Sequence, residues 1–413
     1  MKFHIITLGC KVNQAESEQA GELLAAYGHE YITLNDKPDL VIVNTCSVTH
    51  IADRKSRQMI SRALSQNPQA NIIITGCSIE NEGAKLPAIK NSQVVLKNNL
   101  LEVIKEYNPK KINIEGHAFQ TNINKTRKMV MVQNGCNYFC SYCVVPYVRS
   151  RIYSIPAEKV LDDIRQLVNK GVKEIVLTGI NLGTYSSTMD LYGLVQNILQ
   201  LEGDFRLRLS SLEPNLISDK IVSLVQENSR IAPHLHIPMQ GTTNKILKAM
   251  ERKYTLEQYL KLVERIRSKN ITLTTDLIIG FPGESDKDFE QTVKIIEKGI
   301  FMDIHLFMYS LRNGTKAAGF KNHVPYATKK ARMDVALKKV REGKKKFLRN
   351  FINKNVTVLI EQEKNGWYYG FSEHYFKVKI KKQKNNLVNE FVNVNVKDII
   401  DDGRQIVAIA EQI

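Results

Sequence analysis

Gly135-Cys136-Asn137-Tyr138-Phe139-Cys140-Ser141-Tyr142-Cys143 sets three thiols within eight positions, directly after the apolar run Met129 to Val132. Three thiolates can hold three irons of a 4Fe–4S cube. Four cysteines are the usual ligand set, so a loop with three leaves one iron open to a ligand that is not protein. A zinc knuckle would want a fourth ligand close by, and no histidine or cysteine occurs from Val144 through Ile231. A disulfide needs an oxidising compartment. The chain starts without a signal peptide and has no apolar run long enough to cross a bilayer, so a reducing cytosol is the expectation. There, closely spaced cysteines are more often metal or redox groups than staples.

Outward from this loop, 413 residues exceed what one hydrophobic core supports, so two or three domains are expected. The net charge of +17 is uneven: residues 321–390 hold 18 Lys and Arg against 6 Asp and Glu. Such a block is usually a solvated face, but at this density it reads as a module for a polyanion, most simply nucleic acid.

The six cysteines form two trios, the second being Cys10, Cys46 and Cys77. Phe3 to Leu8, Leu40 to Val43 and Asn71 to Thr75 read as buried strands, each ending just before one of these cysteines and each followed by a helical pattern. Strands alternating with helices imply a parallel sheet with right-handed crossovers. In such a sheet the strand-to-helix loops leave from one edge, so topology brings three cysteines separated by 36 and 31 residues to one place. A lone cysteine is most often a small buried hydrophobe. Core burial gives no reason for three to share a strand end, whereas a second three-thiolate cluster does.

Six further strand-like runs follow: Met129–Gln133, Glu174–Thr178, Phe205–Ser210, His234–Ile237, Ile271–Ile279 and Ile304–Tyr309. With helices between them they suggest a full or partial barrel whose site is built at the carboxyl ends of the strands. At that rim fall Gly179-Ile180-Asn181-Leu182-Gly183, Ser210-Ser211-Leu212-Glu213-Pro214, Gln240 and Gly280-Phe281-Pro282-Gly283. Each also has an ordinary reading as a turn or a helix cap. His234 and His236 read equally as core residues. Arg149 and Arg151, just after the cluster loop, place two guanidinium groups near the expected mouth, where they could pair with a carboxylate or a phosphate; a surface role reads equally well for either. Thr328 to Asn350 reads as a basic helix, and five short strands after it as a small β-barrel. There Trp367, Tyr368, Tyr369 and Phe371 lie among Lys377, Lys379 and other lysines, a mixture suited to backbone attraction and base stacking; packing within the sheet accounts for about half of such aromatics.

The spacing C-x-x-x-C-x-x-C, with Tyr142 before the last cysteine, resembles the cluster loop of the radical S-adenosylmethionine (SAM) superfamily. Thr7-Leu8-Gly9-Cys10-Lys11-Val12-Asn13-Gln14, Asn44-Thr45-Cys46-Ser47-Val48-Thr49 and Thr75-Gly76-Cys77 are similar to the methylthiotransferase family within it. Lys11 to Gln14 resembles its MtaB-type branch, which acts on N6-threonylcarbamoyladenosine in tRNA. The resemblance implies an α/β chain with a flavodoxin-like domain at 1–124 holding the auxiliary cluster. A partial (β/α)6 radical SAM barrel with its connecting helix follows at 125–350, then a TRAM RNA-binding β-barrel at 351–413. It implies two 4Fe–4S clusters and SAM as cofactors. Cys136, Cys140 and Cys143 would hold the SAM-binding cluster, with Tyr142 and the Gly280 turn beside the adenine, Gly179 and Asn181 at the methionine end, and Ser211, Glu213 and Gln240 lining the pocket.

Arg149, Arg151, Trp367, Lys377 and Lys379 are the candidate RNA contacts. The partners implied are tRNA and a low-potential electron donor such as flavodoxin or ferredoxin, with no membrane, in the cytoplasm. Gly241-Thr242-Thr243 departs from the family's usual Ser-Gly-Ser, and Tyr309 to Thr315 from its usual Ser-Pro-Arg-Pro-Gly-Thr. The alternatives are isopentenyladenosine or a ribosomal protein aspartate as substrate, or a non-catalytic iron–sulfur sensor that binds RNA.

Overall fold

The structure, a computed structural model, describes residues 1–82, 92–108, 126–382 and 385–413. The expected boundary at 124/125 lies outside the described residues.

The first unit is a parallel sheet of β1 (Lys2–Thr7), β2 (Glu30–Tyr31), β3 (Leu40–Thr45), β4 (Asn71–Gly76) and β5 (Ser92–Val94), in the order β2-β1-β3-β4-β5. The β-branched runs bury both faces. Leu40, Ile42 and Ile73 join Phe3, Ala20 and Leu24 on one side, while Val41, Val43, Ile72 and Ile74 join Ile60 and Ala63 on the other. This is the flavodoxin-like order, whose topological switch lies between β1 and β3. Helices α1 (Lys11–Ala26), α2 (His50–Gln66) and α3 (Cys77–Glu82) leave β1, β3 and β4 at that edge.

The second unit contains β6 (Arg127–Asn134), β7 (Tyr153–Ser154), β8 (Glu174–Gly179), β9 (Arg206–Leu209), β10 (His234–His236), β11 (Thr272–Ile279) and β12 (Asp303–Met308). All six expected runs form strands. β6, β8 and β9 pair in parallel, as do β10, β11 and β12, and single bridges at Leu207/Ile231 and Ser211/His236 join the two groups. No β6–β12 pairing occurs among the described residues, so the barrel is open. The short β7, not expected from the pattern, runs antiparallel along the outer edge of β6.

The third unit, β13 (Asn355–Lys364), β14 (Trp367–Ser372), β15 (Lys377–Lys381), β16 (Phe391–Asp401) and β17 (Ile406–Gln412), closes into a barrel in the order β13-β14-β15-β17-β16. Its core is not self-contained. Phe347 and Leu348, from the helix Tyr326–Arg349, and Met302, from the partial barrel, pack into it. Several cations of that helix are also committed within the chain: Lys339 to Glu297 at 2.6 Å, Lys344 to Asp303 at 2.5 Å, Arg332 to Glu284 at 2.7 Å.

Buried charge forms the second connection. Glu174 is fully buried and meets Arg206 Nε at 2.6 Å, Arg127 Nε at 3.0 Å and Arg208 Nη2 at 3.1 Å. Arg127 also reaches Glu361 at 2.5 Å, and Arg208 Nη1 donates to the Glu373 carbonyl at 3.2 Å, both in the third unit. Burial alone would raise the Glu174 pKa; Arg208, Arg206 and Arg127 together hold it well below the usual carboxylate range.

Candidate active site

The Cys136 loop leaves the carboxyl end of β6 through Gly135, whose φ of +80° and close approach to the Arg151 carbonyl, 2.6 Å from a would-be Cβ, require glycine. Beyond it the chain is pinned at Ser141: the N–H donates to the Met250 carbonyl (3.1 Å), the hydroxyl to the Ala249 carbonyl (2.7 Å), and the carbonyl accepts from Ala317 N–H (2.7 Å). Cys140 is buried, and Arg252 Nη1 lies 3.2 Å from its Sγ. Burial, with Cys140 and Cys136 adding, pushes the metal-free Cys143 thiol up to about 12. The Cys136 thiol is raised as well, by burial first and Cys140 next.

Around this trio the rim motifs assemble. Tyr142 packs with Ile246, Met250, Phe281 and Tyr309, its ring edge-on to Phe281 at 6.4 Å, so it meets the Gly280 turn. Gly280 (φ +74°) donates its N–H to Glu284 at 3.0 Å. Gln240 also has a left-handed backbone (φ +65°) and donates its N–H to the Asp276 carbonyl at 2.8 Å. At the end of β8, Gly179 packs on Gln133, whose Oε1 accepts from Asn181 N–H at 2.8 Å. The Asn181 side chain is 3% exposed, lies beside the Tyr138 hydroxyl, and makes no hydrogen bond of good geometry through either polar atom. Ser211 bridges to His236, and the neighbouring Ser210 hydroxyl is buried with no hydrogen-bond partner among the described residues.

Glu213, expected to face a ligand, is ion-paired to Arg252. Arg252 thus joins that carboxylate to Cys140. It follows Met250-Glu251 in a loop with no periodic signature, which is why sequence reading passed over it.

The second trio lies at the flavodoxin-like switch. A Cβ on Gly9 (φ +101°) would stand 3.0 Å from Cys46 Sγ, so only glycine lets the β1 loop approach β3 this closely. Asn13 braces the pair by donating to the carbonyls of Leu8 (2.8 Å) and Thr45 (2.9 Å). Burial, then the neighbouring Cys77 and Cys10, push the Cys46 thiol up to about 11. The Ser47 and Thr75 hydroxyls are buried without hydrogen-bond partners among the described residues.

Cys77 packs against Val144 and Val148, immediately beyond Cys143, and this contact brings the two trios together. Arg149 corrects an expectation here. Instead of an exposed RNA contact it is 4% exposed, its guanidinium bound to Glu16 Oε1 (2.8 Å), Asn13 Oδ1 (2.8 Å) and Asn134 Oδ1 (2.6 Å). Burial opposes its charge, but Glu16 and Cys77 raise its pKa further, so it stands as a fixed cation between the trios. Lys97 adds a second, 3.3 Å from Glu16 and 3.0 Å from Asn13 Oδ1. Arg151 remains exposed, 5.5 Å from the Tyr153 ring.

Both trios suit iron–sulfur ligation on chemical grounds. Cys46, Cys77 and Cys140 are buried, Cys136 and Cys143 half-buried and Cys10 exposed. A thiol raised by burial, as at Cys46, Cys136 and Cys143, ionises when a metal binds, while Arg252 donates to Cys140 and Arg149 adds positive charge near Cys77 and Cys10, the surroundings that negative clusters take.

In the third unit the aromatic group divides. Tyr368 is core; Phe371 stacks under Arg127 at 4.8 Å; Trp367 is partly exposed with Lys379 Nζ 4.6 Å from its ring. Lys377 donates to Gln405 at 3.0 Å. No helix among the described residues is long and apolar enough to cross a membrane.

A profile of the radical SAM superfamily matches residues 130–296, and one described as uncharacterized protein family UPF0004 matches residues 2–97. The threonylcarbamoyladenosine tRNA methylthiotransferase MtaB of Chlamydia pneumoniae is 34% identical, covering 97% of this chain and 96% of that protein. That of Thermotoga maritima is 35% identical over 97% and 95%. A tRNA-2-methylthio-N(6)-dimethylallyladenosine synthase of Endomicrobium trichonymphae is 32% identical over 96% and 97%. Among solved structures, the radical SAM methyltransferase TsrM from Kitasatospora setae, with tryptophan and a SAM analogue bound, shares the fold at a TM-score of 0.54 and 14% identity, over 77% of this chain and 74% of that one. The two converging cysteine trios and the full-length similarity lead to one conclusion: this chain belongs to the methylthiotransferase family of radical SAM enzymes.

Proposed function

We propose that this chain converts N6-threonylcarbamoyladenosine at position 37 of tRNA to its 2-methylthio derivative, with SAM as methyl donor and radical source. The observation that carries this reading is the pairing of the two trios through Cys77, Val144 and Val148. Relatives named for that activity match along nearly their whole length, which supports the substrate.

The C2–H of adenine is too weak an acid for a side-chain base to remove, so the difficult step belongs to cofactors and the protein supplies binding and orientation. When bound, the clusters and SAM supply one-electron chemistry, which calls for a potential near the low end of the roughly −700 to +450 mV range of iron–sulfur groups, and the transferable sulfur. Cys136, Cys140 and Cys143 hold one cluster, and Cys10, Cys46 and Cys77 the other. Tyr142 and the Gly280 turn flank the adenine of SAM. Gly179 and the buried Asn181 amide would receive its methionine end. Ser211 and Gln240 line the pocket, and Glu213 acts through Arg252. Trp367, Lys377, Lys379 and Arg151 contact the tRNA. A low-potential donor such as flavodoxin or ferredoxin delivers electrons in the cytoplasm.

The relatives named for dimethylallyladenosine favour that base as the second reading. Nucleoside mass spectrometry of cells lacking the protein decides between them. The methylthio increment disappears from threonylcarbamoyladenosine if the proposal holds; its persistence, with the isopentenyl derivative altered instead, refutes it.

A further inference from the structure

Lys11 is the first residue of α1 and the neighbour of Cys10, yet its side chain turns away from the trio and toward the barrel. Its Nζ lies 5.6 Å from the centre of the Tyr375 ring, among Arg208, Arg127 and Glu174 and near His234 and His305. Among the described residues no hydrogen bond or ion pair reaches it. The carboxylates in range are already engaged: Glu174 by three arginines, Asp276 by His236 and His305 at 3.2 Å each.

The other cations beside the trio behave differently, since Lys97 and Arg149 both pair with Glu16. A half-buried ammonium surrounded by guanidinium groups and lacking an anion is unfavourable unless a partner arrives with a ligand. His236, Asp276 and His305 do not make the site a cation's. Both ring nitrogens of His236 are occupied, by Thr274 and Asp276, and Lys11 stands close by.

We infer that Lys11 is the specificity-determining cation that receives the carboxylate of the N6-threonylcarbamoyl group. This rests on the substrate reading above. The covalent geometry suits it: C2 and the N6 substituent flank the same ring nitrogen, so a base whose C2 faces the Cys10 trio carries its substituent on the adjoining edge, and Lys11 is the residue that follows Cys10. An isopentenyl group offers this ammonium nothing.

The test uses full-length reconstituted protein and anticodon stem–loops carrying either threonylcarbamoyladenosine or its neutral threonine-amide analogue. Equilibrium binding and kcat/KM are measured for wild type, Lys11→Met and Lys11→Arg, with iron content and Tm as checks on folding. Wild type prefers the acid by about 10- to 100-fold, as for a hydrogen bond to a charged group. Lys11→Met abolishes the preference through KM and affinity, and Lys11→Arg restores part of it. If wild type binds acid and amide alike, or Lys11→Met keeps the wild-type ratio, the inference is overturned while the substrate reading stands. If wild type fails to convert the threonylcarbamoyl stem–loop at all but converts the isopentenyl one, the substrate reading fails first, and the inference with it.

Discussion

Substituting Glu174 with Gln keeps the shape at the base of β8 and removes one charge. In the native chain that carboxylate is wholly buried and balances Arg127, Arg206 and Arg208, whose other bonds run to Glu361 and to backbone carbonyls of the C-terminal barrel. The variant leaves three guanidinium groups in a buried interface with Glu361 and Glu373 of the C-terminal barrel left to oppose them. Breaking a buried pair by removing one partner costs about 3–5 kcal/mol, and three cations depend on this carboxylate, so the upper part of that range is expected. Trp367 is the chain's only tryptophan and sits in the affected barrel, so urea titration followed by its fluorescence reports the right unit.

The pH dependence follows from the sign of the shift. Because the folded pKa is depressed, the carboxylate's contribution is fully present above the unfolded value of 4.5 and declines as pH falls below it. Wild-type stability therefore drops in acid, whereas Glu174→Gln lacks this component at every pH. A loss below about 1 kcal/mol, the size of an exposed pair, would show that the network does not hold the barrels together.

Three further outcomes are expected. Asn181→Ala leaves Tm nearly unchanged, because the deleted amide makes no well-formed hydrogen bond among the described residues and only adjoins the Tyr138 hydroxyl, yet weakens SAM binding measured by equilibrium dialysis; a lower Tm with intact SAM binding would contradict the assignment. Arg252→Ala removes the donor to Cys140 and the partner of Glu213, and iron retention or 5′-deoxyadenosine formation falls about 10- to 100-fold, the usual effect of losing a supporting group; unchanged iron and sulfide content with full activity would refute it. Trp367→Ala weakens tRNA binding by about 1–3 kcal/mol with the salt dependence kept, whereas Lys379→Ala lowers the slope of log K against log salt by about one; equal slopes for both variants would contradict the division of roles.

Much of the site was legible because its signals are local. The β-branched runs ending at Gly9-Cys10, Thr45-Cys46 and Gly76-Cys77 carry their own period, and a parallel sheet then delivers their ends to one edge. Arg149 shows where this stops. Its flanking residues suggested an exposed arginine, but Glu16, 133 positions away, captures it. Arg252 had no detectable pattern because its partners, Cys140 and Glu213, are 112 and 39 positions distant. The aromatic group of β14 likewise could not be divided into core, dock and exposed face before the barrel closed and the partial barrel's Arg127 came against Phe371.

The amino-acid order alone determined the strands, the two sets of thiols and the edge at which each set gathers, since hydrophobic period and loop length are properties of neighbouring residues. Only the tertiary structure decided which charges are paired and which are left over: Glu16 neutralises Arg149, Glu174 neutralises three arginines, and Lys11 has no such partner among the described residues. Charge pairing depends on distance in space, and no periodicity along the chain encodes the meeting of groups 32 positions apart, as Glu174 and Arg206 are, or 133 apart, as Glu16 and Arg149 are.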